Sequence, residues 1–240
     1  MLKLLLAHTN DEQVNAEIDI VGFTLLGWSI MMNKPRKKEI VRLLLETGAN
    51  VNQITGGCTA LHLAVGISDL KIVKMLLEAN ADANIKNKSG ENAFWVANLL
   101  RLEILILLLQ YGADPTPNES SYKKFFIRLR RYKPYVELHI HMRYSLTLKL
   151  LYSACPNKDL RSIENRLKTK CTIPEVLAVL DELTCTPRSL QSACRLAVRG
   201  AMNMKRPDDV KGLSLPLRLK EYLLFSDIQA TLEQADSEDF

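Results

Sequence analysis

Residues 57–89 read GCTALHLAVGISDLKIVKMLLEANADANIKNKS, and the same pattern recurs on both sides of them. Residues 22–55 read GFTLLGWSIMMNKPRKKEIVRLLLETGANVNQIT, and residues 90–116 read GENAFWVANLLRLEILILLLQYGADPT. Each copy opens on a glycine (Gly22, Gly57, Gly90) and carries a later apolar run (Leu43-Leu44-Leu45, Met75-Leu76-Leu77, Leu107-Leu108-Leu109). Each closes around Asn50, Asp82 or Asp114, so the period is about 33 residues. A unit this short cannot bury its apolar side alone, so neighbouring copies must stack into a solenoid. Thr59 is placed to cap the first helix of its copy. Gly48 and Gly112 fall just past the second helix, where a left-handed backbone is needed, and Asn80 takes that position in the middle copy.

The period, the glycines and Thr-Ala-Leu-His-Leu-Ala at 59–64 resemble the ankyrin repeat. The resemblance implies an all-α solenoid and gives His62 a structural, hydrogen-bonding role. His8, His139 and His141 show no metal-ligand spacing to it, so no metal is expected. Gly56-Gly57 belongs to a repeat turn and is not a phosphate cradle. The hairpin tips, Gln53 to Gly57 and Ile85 to Ser89, make Gln53, Thr55, Lys86 and Lys88 candidate substrate-binding residues. Trp28 and Trp95 are assigned to core packing, with interface anchoring as the alternative. Residues 1–20 look like half of an earlier repeat, with Leu2 to Leu6 as its helix and Val14-Asn15 as its exit. They belong either to a shortened form of a longer protein or to a frayed cap. The array as a whole is assigned to 1–116.

The chain has 240 residues, 47% hydrophobic and 25% charged, within the globular range. Cys58, Cys155, Cys171, Cys185 and Cys194 form no C-x-x-C pair, and an odd count argues against a disulfide framework. A reducing compartment is expected: the cytoplasm, with the nucleus also open. The apolar start, Met1 to Ala7, is too short for a signal peptide, and no apolar run reaches the ~18 residues of a membrane span. No Gly-x-Ser-x-Gly, Gly-Lys-Ser/Thr loop or His-Glu-x-x-His occurs. The expectation is therefore a non-enzyme without a cofactor or membrane partner.

Residues 117–186 do not repeat and read as a helical connector, with helices around 122–132, 136–154, 160–170 and 174–184. Lys123, Lys124, Arg128, Arg130, Arg131, Lys133, Arg143 and Lys149 cluster here among Tyr122, Phe125, Phe126, Tyr132, Tyr135 and Tyr144. Basic residues among aromatics can track a nucleic-acid backbone. Phe125 and Phe126 read better as buried residues, so a solvated or protein-facing patch is preferred over nucleic acid.

The segment 187–225, PRSLQSACRLAVRGAMNMKRPDDVKGLSLPLRLKEYLLF, holds two apolar-faced stretches. Leu190, Cys194 and Val198 share one helical face, with Arg188, Arg195 and Arg199 off that stripe. Ser189 is placed as a cap. In the second stretch Pro216 suits a helix start, and Leu215, Leu219, Tyr222 and Leu223 make an apolar face. The order and spacing resemble the SOCS box. That resemblance assigns Leu190, Cys194 and Val198 to elongin binding. It assigns Leu213, Leu215, Pro216, Leu219, Tyr222 and Leu223 to cullin binding. Ser214 departs from it, standing where the family's first proline is expected. Residues 226–240 are an acidic tail.

Ankyrin repeats followed by a SOCS box resemble the ankyrin-repeat-and-SOCS-box family. This implies a non-catalytic substrate receptor of a cullin–RING ubiquitin ligase, with elongin C, elongin B and cullin-5 with its RING subunit as partners, and an unidentified protein as substrate. A non-ligase ankyrin scaffold, its tail helices a structural cap, is the alternative.

Overall fold

The computed structural model describes residues 11–18, 20, 22–32, 34–97, 101–116, 146–151, 153–154, 190–201 and 206–237. The helix expected at Leu2 to Leu6 and most of the 117–186 connector lie outside these residues. The described residues are helical, with no strand and two isolated antiparallel bridges, Glu17 with Thr24 and Thr55 with Cys58. The chain divides into two compact units, 1–98 and 99–240.

The first unit contains α1 (Asp11–Val14), α2 (Leu25–Met31), α3 (Lys37–Glu46), α4 (Ala60–Gly66), α5 (Leu70–Glu78) and α6 (Ala93–Val96). α2, α4 and α6 start for a shared reason. The side-chain oxygens of Thr24, Thr59 and Asn92 accept from the backbone N–H of Gly27, His62 and Trp95 at 3.3, 3.4 and 3.3 Å. Each occupies one of the donors that a helix start leaves unpaired. α3 and α5 end alike. Gly48 and Asn80 are left-handed (φ 87° and 69°). The next amides, of Ala49 and Ala81, turn back to the carbonyls of Leu44 and Leu76 at 3.0 and 2.9 Å.

The recurring Asn50 and Asp82 also have a local cause. Each side chain accepts from the amide two residues on, Asn52 at 3.0 Å and Asn84 at 2.9 Å, which shapes the turn leaving the helix. Side chains then tie one turn to the next. Asn15 Oδ1 accepts from Asn50 N, and Asn52 Oδ1 accepts from Asp82 N, both at 2.7 Å. Asn15 thus does for its neighbour what Asn52 does for the next copy.

α2 packs on α3 and α4, α4 on α5 and α6, and α3 on α5. Leu26, Ile30, Val41, Leu44, Leu61, Val65, Ile72, Leu76 and Phe94 are buried between them. Trp95 is buried as expected, but Trp28 is 42% exposed, which overturns its assignment to the core. Register explains the difference. Gly27, His62 and Trp95 stand equally far from Gly22, Gly57 and Gly90, and that position faces inward, whereas Trp28 lies one residue further along.

His62 is buried and fully engaged. Its Nδ1 accepts the Thr59 amide at 3.2 Å and lies 2.7 Å from Thr59 Oγ1. The proton therefore sits on Nε2, which donates to the Glu91 carbonyl at 3.0 Å and joins the second copy to the start of the third.

The second unit contains α7 (Leu102–Gln110), α8 (Leu190–Ala201), α9 (Pro207–Lys211), α10 (Leu217–Leu223) and α11 (Ser226–Ser237), with further helical residues at 146–151 and 153–154. α7 ends like α3 and α5, with Gly112 left-handed and the Ala113 amide on the Leu108 carbonyl at 2.9 Å. α10 packs on α8, α9 and α11, and α11 packs on α7. Pro207 opens α9, where its missing N–H costs nothing. Pro216 stands just ahead of α10, and its carbonyl accepts from Leu219 and Lys220 at 3.0 and 3.2 Å. Residues 226–237, read from sequence only as an acidic tail, form a helix with Leu232 buried.

Burial lowers the pKa of His62, partly opposed by the Glu91 carbonyl and charge. The unfolded imidazole, near the ordinary value of about 6.5, takes up a proton that the folded one resists. The stability it contributes is full above about pH 6.5 and is lost as pH falls through the lowered folded value. Urea unfolding at about pH 7.5 and about pH 5 should show a smaller loss for His62→Gln than for the wild type.

Candidate functional site

The candidate site is the face of α8 and the adjoining start of α10. Around α8, residues 190, 194, 197, 198 and 201 fall toward one side, and 195 and 199 toward the other. The structure sorts them accordingly. Cys194, Ala197 and Ala201 are exposed, Val198 is half-buried, and Arg195 is 1% exposed. Position 190 falls in line with 194, 197 and 201, while its side chain lies outside the described residues. Of the predicted elongin residues, Cys194 is therefore open, Val198 is half-buried against Val210 and Leu223, and Arg195 and Arg199 are turned into the protein.

Those arginines hold the unit together. The Arg195 guanidinium lies 3.7 Å from the Tyr222 ring centroid and 4.5 Å from that of Phe225. Its Nη2 donates to both carboxylate oxygens of Asp227 at 2.8 Å. A buried charge needs such a partner, and a guanidinium can stack and pair at once. Arg199 Nη1 donates to the Leu223 carbonyl at 2.8 Å, and its Nη2 donates to the Leu109 carbonyl. One side chain thus closes the C-terminal ends of α10 and α7, where a cation also suits the helix dipole. Burial, then repulsion from Arg195, pulls its pKa down to about 10, and it stays charged at neutral pH. Gln110 Nε2 adds a bond to the Leu224 carbonyl at 2.8 Å.

The predicted cullin-binding residues divide in two. Leu223 is buried with Val210, and Val198, Leu213, Leu215 and Leu224 pack against that pair. Tyr222 is half-buried beneath Arg195. Pro216 and Ser214 are exposed, and Leu219 is 50% exposed. Leu217, absent from the sequence-based set, is 70% exposed. Leu213, Leu215, Tyr222 and Leu223 therefore build the support from which Pro216, Leu217 and Leu219 project. After α10 the chain turns at Phe225, whose φ of 60° is unusual for a bulky side chain. Its ring is buried, with Arg195 on it and Arg199 5.2 Å from its centroid.

In the first unit, Lys86 and Lys88 are exposed, as expected of turn tips. Gly56 and Gly57 form the turn closed by the Thr55–Cys58 bridge. Thr55 is 3% exposed, so its side chain is not on offer to a partner. Gln53 Nε2 donates to the Asn15 carbonyl at 3.2 Å and so serves the adjacent turn. Sequence reasoning passed over the exposed apolar residues Met31, Ile54 and Ile67. Met31 lies three residues after Trp28 on α2, at a spacing that shares a face. Of the basic cluster, only Lys149 is among the described residues, and it is exposed. Among the described residues no group of three His, Cys, Asp or Glu could hold a metal ion, and no described helix is long and apolar enough to cross a membrane.

Three family models match the chain: the SOCS box over residues 186–224, ankyrin repeats (3 copies) over 39–119, and the ankyrin repeat over 21–56. The chain is 25% identical to human ankyrin repeat and SOCS box protein 14 over 207 residues, covering 78% of this chain and 35% of that protein. It is 36% identical to human ankyrin repeat and SOCS box protein 8 over 77 residues, covering 32% of this chain and 27% of that protein. A putative ankyrin repeat protein of Acanthamoeba polyphaga mimivirus is 40% identical over 77 residues, covering 32% and 19%. The chain thus spans at most about a third of the length of these relatives.

The packing around Arg195 yields a stability prediction. Arg195→Ala removes two ring contacts and a paired charge and should destabilise the second unit by about 2–4 kcal/mol. Gln110→Ala, which removes one hydrogen bond, should cost about 1 kcal/mol. Urea unfolding of the full chain followed by hydrogen exchange in α7 and α10 checks both.

Proposed function

From its pairing of ankyrin repeats with a SOCS box, which makes the chain a member of the ankyrin repeat and SOCS box family, we propose that it is a substrate-recognition subunit of a cullin–RING ubiquitin ligase. The box recruits elongin C with elongin B, and cullin-5 with its RING subunit. The repeats capture a protein substrate in the cytoplasm. The transfer chemistry belongs to the RING subunit and its E2. This chain contributes proximity, which raises the effective concentration of substrate lysines at the E2.

One observation carries the reading. α8 turns its arginines inward and leaves Cys194, Ala197 and Ala201 open. A narrow face of small residues lets a partner approach closely, with Leu190 as the knob that enters it and Val198 at the edge. Pro216, Leu217 and Leu219 offer the adjoining apolar surface to the cullin. On the repeats, Trp28 and Met31 with Lys86 and Lys88 are the exposed side chains suited to substrate.

The bonds from Arg199 and Gln110 between α7 and the box favour a second reading, in which the tail helices only cap the last repeat. A tagged pull-down distinguishes the two. Burial of one leucine is worth about 1.5–3 kcal/mol, so Leu190→Ser should weaken elongin C binding tenfold or more. Wild type should bring down elongin B, elongin C and cullin-5, and Leu190→Ser/Cys194→Phe should bring down none. Failure of wild type to bind any of them favours the capped scaffold. Restoring the family's residue in Ser214→Pro should raise cullin-5 recovery at unchanged elongin C recovery, which quantitative immunoblotting reads.

A further inference from the structure

The SOCS-box match ends at residue 224, yet the fold continues through Phe225 into α11. Arg195 follows the exposed Cys194 directly in α8, and its guanidinium is buried. Tyr222 and Phe225 give it ring faces but no opposite charge. The carboxylate it pairs with belongs to Asp227 in the first turn of α11, through two bonds of 2.8 Å. α11 is itself held by α10 and α7, with Leu232 buried. α8 has 12 residues. Helices of this length are marginal on their own, and this one leaves an apolar face uncovered. Its order therefore depends on the side that Arg195 anchors.

The geometry points to α11 as a clamp that pre-orders the partner-binding helix, with Asp227 as a positioning residue acting through Arg195. Asp227 reaches α8 through Arg195, which points away from the open face of Cys194, Ala197 and Ala201. Its effect is on the fraction of chains whose α8 is already formed when a partner arrives. A protein whose competent state is only partly populated binds more weakly by that fraction, and the loss falls on association rather than dissociation. The inference rests on the elongin reading only for its second readout.

The test uses the full chain as wild type, Asp227→Asn and Asp227→Glu, first alone and then with purified elongin B/C heterodimer. Alone, amide exchange in 190–201 should accelerate in Asp227→Asn, return toward wild type in Asp227→Glu, and stay unchanged in α4 and α5. With elongin B/C, Asp227→Asn should associate about three- to tenfold more slowly with dissociation unchanged, and Asp227→Glu should recover most of the rate. Unchanged exchange in α8 overturns the clamp, including when α11 itself frays. A slower association without faster α8 exchange overturns it too, as does a defect confined to dissociation. If wild type fails to bind elongin B/C, the elongin reading falls, and the exchange experiment alone decides the clamp.

Discussion

A helix leaves carbonyl groups at its C-terminal end that its own ladder cannot use, and each buried one needs a donor. In the repeats the answer is local. After α3, α5 and α7 a left-handed residue (Gly48, Asn80, Gly112) folds the next amides back onto those carbonyls. The same residue reverses the chain, and the Asn50, Asp82 and Asp114 side chains set the turn that follows. At α7 this is supplemented from a distance, since Arg199 also reaches the Leu109 carbonyl while holding that of Leu223. The box is thereby joined to the last repeat helix through backbone groups.

Along α8 the box turns Arg195 and Arg199 inward and Cys194, Ala197 and Ala201 outward. Ordinary helices do the reverse. Arg195 and Arg199 are tolerated inside because their guanidinium groups meet a carboxylate, carbonyls and rings, although Arg195 Nε is buried without a hydrogen bond among the described residues. This inversion leaves a face of Cys194, Ala197 and Ala201 uncovered in a folded chain, which suits a surface meant for another protein. Around α10, Leu223 and Val210 form a small core, and Leu217 and Leu219 stay outside it.

Features set by local backbone rules were legible in the sequence. Thr59 as a cap and the left-handed exits at Gly48, Asn80 and Gly112 follow from residue type and spacing, and the structural role of His62 is implied by the resemblance to the ankyrin repeat; each is in place. Trp28 was misassigned by one position of register, although the spacing from Gly22 held the signal. That Arg195 and Arg199 turn inward was not legible for a different reason. Charge at an off-stripe position usually means solvent, and their partners Tyr222, Phe225 and Asp227 come some 30 residues later in the chain. α11 was hidden by its acidic residues, although Ile228 and Leu232 lie one helical turn apart.

The Arg199 bridge also bears on how such an array can change in length. Each repeat ends on its own glycine or asparagine, so a copy duplicated upstream of α7 brings its termination with it. A copy inserted between α7 and the box would separate Leu109 and Gln110 from Arg199 and Leu224. The newcomer would have to recreate both contacts at its own final turn. Growth by duplication is therefore easy within the array and obstructed at this junction, and the pairing of one particular last repeat with the box would be inherited as a unit.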